Sequence, residues 1–299
     1  MELHQLEYFV AVAEEASFTR AAARVHVAQP GVSAQVRRLE AELGQQLLDR
    51  SGRSVRLTEV GTAVLPFARA ALRAVSNARQ AVDELAGLVR GQVAVGMVSG
   101  CSVQLLPELL AEFRSRYPGV SITLSEDGSD RLIEFIRDGR LDLALIGSAG
   151  DAIPGIETAV VVDEALVAAV REDDPLAARS VVTLADLRDQ PLVSLPRGTG
   201  VRAAFDAACA TAGFEPRIVL EASALPMVAR LAGMGLGVAI LPASSPPSLD
   251  LPLHVLPIER PNIRSRLELA WNPAAAASPA ARVLADHARA FLDRRAPAG

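Results

Sequence analysis

Apolar residues near the start of the chain recur every three or four positions, which is the spacing of one face of an α-helix. A first amphipathic helix is predicted around Leu3, Leu6, Phe9, Val10 and Ala13. A second, shorter helix is expected to begin after Ser17, whose hydroxyl can accept a free backbone N–H of the first turn. Three alanines at 21–23 would let this second helix pack closely against its neighbours.

A third helix is predicted to start at Gln29-Pro30, after a turn near residues 26–28. Proline suits the first helical position, because the N–H that it lacks would have no partner there. The buried stripe of this helix is expected to comprise Val32, Val36, Leu39 and Leu43. Two short helices joined by a tight turn and followed by an arginine-bearing hairpin are typical of a winged helix-turn-helix, which places its second helix in the major groove of DNA.

The face of the third helix opposite its apolar stripe carries small and polar side chains, which allow a helix to approach base edges closely. We expect Gln29, Pro30 and Ser33 near bases, with Ala34 able to touch a thymine methyl group. Arginines at phosphates and hydroxyls on the second helix complete the predicted set: Arg20, Arg37, Arg50, Arg53, Ser17 and Thr19. In the alternative interpretation this is an ordinary solvated helix face without a role in DNA binding, formed by Arg37, Arg38, Glu40 and Glu42.

A net charge of −5 does not exclude nucleic acid as a partner, because the charge is unevenly distributed. Residues 1–58 hold seven arginines and seven acids, so the whole deficit lies in the rest of the chain. Residues 16–39 hold four arginines and no acid, and residues 50–58 hold three arginines and no acid. These local basic patches are what phosphate contacts require.

A long helix is predicted from Thr58, as its N-cap, to about Val89. Its apolar positions alternate steps of four and three, which is the seam of a coiled coil and predicts a dimer. The seam comprises Val60, Val64, Phe67, Ala71, Ala74, Ala78, Ala81, Leu85 and Leu88. Pro66 removes one backbone hydrogen bond and predicts a kink or a fresh start near residues 62–66. A monomeric helix packed on its own chain is the alternative.

Beyond Gly91 the pattern changes to alternating strands and helices, which predicts an α/β fold with a largely parallel sheet. The first group comprises strands at 92–99, 121–126 and 141–147 and helices at 105–116 and 129–137. The second group comprises strands at 164–171, 191–195, 217–221 and 238–241 and helices at 201–212 and 225–232. Gly233-Met234-Gly235-Leu236-Gly237 precedes a strand, so it is interpreted as a helix stop and turn and not as a dinucleotide loop.

Ligands of open parallel sheets gather at the carboxyl ends of strands and at helix N-termini, where free N–H groups favour anions. The candidate effector-binding residues at such places are Ser99, Gly100, Cys101, Ser102, Gly147, Ser148, Arg197, Gly198, Thr199 and Ser223. Hydroxyls and one arginine predict a small acidic or polar ligand, with Arg197 as the anion anchor. Ordinary helix capping by the hydroxyls, and a surface ion pair for Arg197, are the alternatives.

Many short segments at matching spacing resemble the LysR-type transcriptional regulators. They are Leu6-Glu7-Tyr8-Phe9-Val10-Ala11-Val12-Ala13-Glu14, Ser17-Phe18-Thr19-Arg20-Ala21-Ala22, Gln29-Pro30, Val32-Ser33, Leu39-Glu40, Leu43-Gly44, Leu47-Leu48-Asp49-Arg50, Leu57-Thr58 and Gly61. Leu48 departs from the phenylalanine that is usual in the family, which should affect only packing.

The resemblance implies a fold and an assembly. The fold is a winged helix-turn-helix (1–58), a linker helix (59–89) and a two-lobed α/β effector domain similar to a type 2 periplasmic binding protein, with lobe 1 at 90–162 and 266–299 and lobe 2 at 163–265. In that chain path a strand at 266–271 and a helix at 280–292 return to lobe 1. The resemblance also implies a tetramer, and RNA polymerase is a further candidate partner.

Several function classes are disfavoured by composition. The chain contains no lysine, which excludes Schiff-base lysines and the P-loop lysine. Its four histidines and two cysteines are scattered, so we expect no metal, no cofactor and no catalytic site. Peroxide-sensing members of the family use a cysteine pair, and because Thr199 stands at the first of those positions and Cys209 at the second, a two-cysteine switch is disfavoured. Met1-Glu2-Leu3-His4 does not resemble a signal peptide, so a cytoplasmic protein is expected.

The resulting hypothesis is a homo-oligomeric regulator that binds an inverted repeat in double-stranded DNA. A small molecule bound between the lobes would favour one arrangement and change how the paired DNA-binding domains sit on the site. Two rivals stay open from the sequence. One is a catalytic or transport-type binding module with a vestigial N-terminal domain, and the other is a nucleoid-type DNA binder without specificity.

Overall fold

The computed structural model describes residues 1–52, 54–85, 90–99, 101, 104–150, 152–245, 252–273 and 278–295, with backbone only for 79–85. Contacts divide the chain into two compact units. Unit 1 comprises Met1–Gly91 and Ala275–Arg282, and unit 2 comprises Gln92–Ala274 and Val283–Gly299. None of the described helices combines the length and apolar character that a membrane crossing requires.

Unit 1 contains the three predicted short helices, a small hairpin and the long helix. They are α1 (Leu3–Glu15), α2 (Phe18–Arg24), α3 (Gln29–Leu43), β1 (Leu48–Asp49), β2 (Arg56–Leu57) and α4 (Glu59–Leu85). The Ser17 hydroxyl accepts the N–H of Arg20 at 3.4 Å, which confirms the predicted cap of α2. Thr58 caps α4, because its hydroxyl accepts the N–H of Gly61 at 2.9 Å and donates to the carbonyl of Gln46 at 2.7 Å.

The core of unit 1 is formed by α1, α2, α3, the segment of β1 and the first half of α4. Phe9, Val32, Val36 and Leu39 are fully buried, as the helical spacing predicted. Leu43 was wrongly placed in the stripe, since it is 39% exposed at the end of α3. The helix runs from Glu59 through Pro66 without a break, so a fresh start there was a wrong prediction. The predicted end of α4 near Val89 lies outside the described residues.

Glu40 is the buried carboxylate of α3, 9% exposed one turn beyond Val36. Its Oε1 accepts the backbone N–H groups of Leu47 and Leu48 at 3.0 and 3.1 Å. Its Oε2 accepts a hydrogen bond from Arg50 Nη2 at 2.6 Å. A single carboxylate therefore fixes the first strand of the hairpin against the third helix.

Unit 2 is built on a mixed sheet with helices. Its strands are β3 (Gly91–Val98), β4 (Val120–Asp127), β5 (Leu143–Ser148), β6 (Glu157–Arg171), β7 (Leu192–Ser194), β8 (Ile218–Glu221), β9 (Val238–Pro242), β10 (Leu253–Pro257) and β11 (Arg264–Trp271). Its helices are α5 (Leu105–Arg116), α6 (Ser129–Arg137), α7 (Leu184–Leu187), α8 (Gly200–Thr211) and α9 (Leu225–Gly233). Helix α10 (Pro279–Asp293) begins in unit 1 and continues into unit 2. A 3-10 turn, Pro175–Ala178, precedes α7.

The strand order β4-β3-β5-β11-β6-β9-β7-β8, with β10 also on β6, gives two sheet halves that share central strands. We call β4-β3-β5 with α5 and α6 the first lobe, and β9-β7-β8 with α8 and α9 the second lobe. Pairing is parallel for β3 with β5 and for β7 with β8 and β9. The central strands are antiparallel, so the largely parallel prediction holds only within each lobe.

Strand β6 is longer than the sequence predicted. A strand was expected only at 164–171, whereas one continuous strand covers Glu157–Arg171. The acids at its middle do not interrupt it, because each has partners: Asp163 pairs with two arginines of β11, and Glu164 accepts hydrogen bonds from Ser244. Strand β10, α7 and the 3-10 turn were not predicted.

The two lobes meet backbone to backbone at Gly147 and Gly200. A methyl group on Gly200 would lie 2.6 Å from the carbonyl carbon of Gly147 and 2.6 Å from the nitrogen of Ser148. Ser129 links the same two segments, since its N–H donates to the carbonyl of Gly198 at 2.7 Å and its hydroxyl accepts the N–H of Gly147 at 2.9 Å. The contact holds one edge of the space between the lobes closed.

Glu40→Ala should lower the free energy of unfolding of unit 1 by about 2 to 3 kcal/mol, because two backbone donors and Arg50 lose their acceptor. Glu42→Ala is the matched control on the same helix, and its exposed side chain should give a change within about 0.5 kcal/mol. Urea denaturation of the full-length variants measures both. Equal loss in the two variants would contradict the role assigned to Glu40.

Gly200→Ala should destabilise unit 2 by about 1 to 3 kcal/mol, since the added methyl group meets backbone that no rotamer change can move. Gly233→Ala is the control, because its nearest neighbour would be Leu253 Cδ2 at an ordinary 3.7 Å. Thermal denaturation of both variants checks the difference. Equal unfolding midpoints for Gly200→Ala and Gly233→Ala would mean that the lobes can move apart at this contact without a loss of folding free energy.

Candidate DNA-binding face and effector cleft

The outer face of α3 presents the small side chains that the sequence assigned to base contacts. Gln29, Pro30 and Ala34 are exposed and Ser33 is half-buried. Gln29 is the first helical residue and Pro30 the second, one position later than predicted for the proline. The helix N-terminus therefore projects an uncapped turn and short side chains outward, which is the geometry required to approach base edges.

Arg37 and Arg38 are the exposed cations of this face. Neither has an ion-pair partner within the described residues. Glu40, the acid nearest to them on the helix, turns inward to the hairpin instead. The solvated-face alternative grouped these arginines with Glu40 and Glu42. Glu40 is buried, and Glu42 is exposed and pairs with the N-terminal amino group, so neither acid pairs with the two arginines.

Arg50 and Arg20 are held by contacts within unit 1. Arg50 binds Glu40 and lies over the ring of Phe18, with its guanidinium carbon 5.0 Å from the ring centroid. Arg20 contacts the carbonyl and, at 3.5 Å, the carboxylate of Glu15. Thr19 is exposed beside it, and Arg53 lies outside the described residues.

Glu14 anchors the long helix to α1. Its carboxylate accepts hydrogen bonds from Arg69 Nη2 and Arg24 Nη1, both at 2.8 Å. Burial alone would raise the pKa of Glu14, but the hydrogen bonds from Arg24 and Arg69 outweigh burial and lower the pKa below its ordinary value. The carboxylate is therefore ionised at neutral pH and holds α4 against the helix-turn-helix.

Helix α4 carries the predicted apolar seam, which its own unit covers only in part, since Val64 and Ala71 pack against the core of unit 1. Leu65 and Ala68 pack in the core of unit 1, whereas Phe67 is 76% exposed and Val60 is also exposed. Further along the same predicted seam Ala74 and Ala78 are exposed, and Val64 and Ala71 are half-buried. The side chains of Ala81 and Leu85 and the whole of Leu88 lie outside the described residues.

A cleft of about 600 Å³, open solvent at its mouth included, lies between the two lobes of unit 2. Its apolar walls comprise Val98, Val162, Leu195, Val201, Leu225, Pro242 and Leu267. The polar residues at its lining are Ser99, Thr199, Glu164, Ser244, Ser245, Ser265 and Arg266, and Cys101 also lines it.

Strand alternation sorts the charges of β6 and β11 onto two faces. Val162 and Glu164 on β6 stand opposite Leu267 and Ser265 on β11, and all four line the cleft. Asp163 is directed to the other face, where it accepts hydrogen bonds from Nε of Arg264 at 2.6 Å and Nε of Arg266 at 2.9 Å. The bond from Arg264, joined by that from Arg266, holds the pKa of Asp163 below its ordinary value.

The predicted effector residues fall into three groups. Ser99, Cys101, Gly147 and Thr199 line the cleft. Ser148, Gly198 and Ser223 are not among its described lining, and Ser148 is buried with its hydroxyl accepting the N–H of Gly150 at 3.2 Å. Gly100 and Ser102 lie outside the described residues.

Arg197 is placed away from the cleft. Its side chain is 83% exposed and lies 3.9 Å from Asp206, in a separate surface groove. Thr199, beside it, donates its hydroxyl to the carbonyl of Pro196 at 2.9 Å and does not cap α8 with its side chain. The anion-anchor role of Arg197 stays a prediction that this placement does not support.

Glu164, Ser244 and Ser265 were not identified by the sequence analysis. They are about 20 to 100 positions apart in the chain and come together only through the pairing of β6 with β9 and β11. One signal was present, because Glu164 opens an otherwise apolar run, Ala165 to Val170, where a charge needs a partner or a ligand.

The two cysteines occupy different environments. Cys209 is fully buried on α8, and burial, with Asp206 nearby, raises its pKa to about 11. Its thiol is therefore protonated at neutral pH and is a poor nucleophile. Cys101 is half-buried at the cleft. Within the described part of the chain, no group of histidines, cysteines and acids is arranged to hold a metal ion.

Comparison with known families and proteins assigns both units. Residues 3–62 match the family described as bacterial regulatory helix-turn-helix protein, lysR family, and residues 86–293 match the LysR substrate binding domain. The HTH-type transcriptional regulator ShiR of Corynebacterium glutamicum (strain R) is 37% identical over 278 residues, which cover 91% of this chain and 92% of that protein.

Solved structures agree with this assignment. A full-length OxyR variant from Pseudomonas aeruginosa is similar with a TM-score of 0.72 and 29% identity, covering 97% of this chain and 95% of that one. Full-length CbnR in complex with its target DNA has a TM-score of 0.62 and 28% identity, covering 97% of this chain and all of that one. The chain therefore belongs to the LysR-type regulators, DNA-binding transcriptional regulators with an effector-binding domain.

Proposed function

We propose that this regulator binds a specific inverted repeat as a dimer or higher oligomer, and that a small polar effector in the cleft of unit 2 changes its engagement with DNA. The observation that carries the proposal is the outer face of α3, where small side chains at the helix start are followed by Arg37 and Arg38 without ion-pair partners in the described residues. Small residues suit base contacts and unpaired arginines suit phosphates.

The DNA-binding domain is assigned to residues 1–58. Gln29, Pro30, Ser33 and Ala34 face bases in this proposal. Arg20, Arg37, Arg50 and Arg53, with Ser17 and Thr19, contact the backbone. The contact between Arg50 and Glu40 supports the assignment, because an arginine with a fixed position loses less conformational freedom when it binds a phosphate.

The long helix at 59–89 is the proposed dimerisation element. The exposed positions of Phe67 and Val60 support a second copy as the occupant of this face, since a large aromatic side chain is rarely left in water along a helical seam. A dimer places two recognition helices about one turn of DNA apart, which requires an inverted repeat. A tetramer, by analogy with the family, would bind two such sites.

The cleft between lobe 1 (90–162 with 266–299) and lobe 2 (163–265) is the proposed effector site. An effector acts there by binding one lobe arrangement better than the other, which shifts the population between two states. The backbone contact of Gly147 with Gly200 and the hydrogen bond from Ser129 to Gly198 are the interlobe interactions that such a shift would strengthen or break.

The partners in this proposal are double-stranded DNA, a small effector, other copies of the chain and, during transcription, RNA polymerase in the cytoplasm. A catalytic role is not part of it. The cleft holds one carboxylate and several hydroxyls, with no described histidine beside them to activate a nucleophile.

Arg37→Ala should weaken binding to the DNA upstream of the regulator's own gene and reduce the slope of log affinity against log salt by about one for each bound subunit. Fluorescence anisotropy across a salt series measures both. Arg179→Ala is the control, because it removes the same charge from a paired surface arginine of unit 2. Equal affinity for a scrambled duplex would indicate a nucleoid-type binder, and no binding at low salt would favour the module with a vestigial domain.

Phe67→Glu should raise the dimer dissociation constant on the order of 100-fold or more, because symmetry removes two buried aromatic side chains and adds two charges. Sedimentation equilibrium at micromolar concentration measures the change. Met234→Glu is the control, a charge placed on a side chain of unit 2 that is 72% exposed. An unchanged mass for Phe67→Glu would exclude this face of α4 as the dimer interface.

A further inference from the structure

We infer that the cleft of unit 2 selects an effector that is neutral or positively charged, with a hydrogen-bond donor directed at Glu164 and an apolar body against the walls. The inference rests on the proposed effector role of this cleft. It departs from the acidic ligand that the sequence allowed, and the charges of the cleft are its basis.

Glu164 is the one acidic side chain among the described residues that line the cleft. Its two oxygens accept one hydrogen bond each from Ser244, Oε2 from the backbone N–H at 2.8 Å and Oε1 from the hydroxyl at 3.1 Å. No arginine of the described chain pairs with it. Since an ionised carboxylate has about four acceptor positions, two or so are left for a ligand.

Arg266 borders the same cleft, but its guanidinium group is directed away from Glu164. Its position on β11 alternates with Ser265 and Leu267, so its side chain leaves the strand on the face opposite to Glu164. There its Nε donates to Asp163, and the guanidinium group lies against Gly150, where a methyl group would be 2.8 Å from Nη1. Asp163 thus holds the guanidinium group of Arg266, the one described cation at the cleft border, on the face opposite to Glu164.

No other cation is available to neutralise an acidic ligand. Every basic side chain of the protein except the histidines is arginine, because the sequence contains no lysine. Some segments of unit 2 lie outside the described residues: 100, 102–103, 151, 246–251, 274 and 296–299. Their sequence contains no arginine or histidine. Arg197 lies in another groove, and Arg202 beside it is already bound to Asp206 and Glu221.

A carboxylate ligand in this cleft would lie close to Glu164, whereas the guanidinium group of Arg266 is held on the other face of the sheet by Asp163. A like charge within about 4 to 6 Å disfavours the ionised form of either partner. An ammonium or hydroxyl group at the same place instead donates to a charged acceptor, which is the stronger class of hydrogen bond. The apolar walls contact the apolar body of an amine, an alcohol or a carboxylate alike. The charge of the polar group therefore determines which of these ligands binds more tightly.

The experiment uses the full-length protein and several dozen matched triads, each an amine, an alcohol and a carboxylate on one apolar body, such as benzylamine, benzyl alcohol and benzoate. Thermal shifts are recorded near neutral pH at up to about 10 mM, where a ligand of the folded state raises the unfolding midpoint by mass action. We expect the amines to bind on the order of tenfold more tightly than the carboxylates, with the alcohols between them.

Glu164→Gln keeps an acceptor and the shape of the side chain but removes the charge. It should reduce the preference for amine over carboxylate to within about threefold, whereas Arg197→Ala and Arg266→Ala should leave the preference unchanged. Isothermal titration of the best triad with each variant measures the ratio directly.

Two results would overturn the inference. One is that carboxylates bind as tightly as the amines or more tightly, and the other is that the amine preference is retained in Glu164→Gln. Both would still be consistent with an effector site in this cleft. Loss of carboxylate binding in Arg197→Ala or Arg266→Ala would assign the anion anchor instead. Stabilisation by none of the compounds would count against the cleft as an effector site and so against the inference too, whereas DNA binding is tested separately by Arg37→Ala.

Discussion

The close approach of Gly147 and Gly200 is the constraint on which the geometry of the effector domain depends. With no side chain on either residue, the end of β5 and the start of α8 touch through backbone atoms alone. Ser129 adds hydrogen bonds to Gly198 and to Gly147. The cleft is consequently closed along this edge, and any ligand that widens it has to lengthen these contacts, whereas a ligand that only fills it does not.

The strands that join the lobes also sort the charges. Because β6 and β11 are antiparallel neighbours in register, each pair of facing residues shares one side of the sheet. Asp163 with Arg264 and Arg266 occupies one side, and Glu164 with Ser265 occupies the other. A one-residue change in the register of β11 against β6 would move Arg264 and Arg266 to the side of Glu164 and so into the cleft. The charge that a ligand meets is therefore a property of strand pairing, not of local composition.

Local patterns in the sequence were sufficient for most elements. Helical spacing predicted α1, α3 and the long α4, and alternating blocks predicted the strands and helices of both lobes. What failed depends on distant partners. Strand β6 extends back to Glu157, and Asp163 within it accepts hydrogen bonds from Arg264 and Arg266, about 100 residues later. Glu40 is buried where the hairpin segment supplies its donors. The cleft residues on β6 and β11 lie within strands, so the rule that ligands gather at strand ends and helix starts does not identify them.

The outer face of α3 is positively charged because acidic side chains of unit 1 are bound elsewhere in the unit. The first 58 residues carry equal numbers of arginines and acids, so composition gives this region no net charge. Glu40 turns inward to backbone N–H groups and Arg50, and Glu14 joins α1 to Arg69 and Arg24. Both carboxylates are thereby used to hold the helices and hairpin together, while Arg37 and Arg38 stay exposed beside the small residues of α3. The same pairing that stabilises the unit therefore leaves a cationic surface for phosphates, although the chain as a whole is acidic.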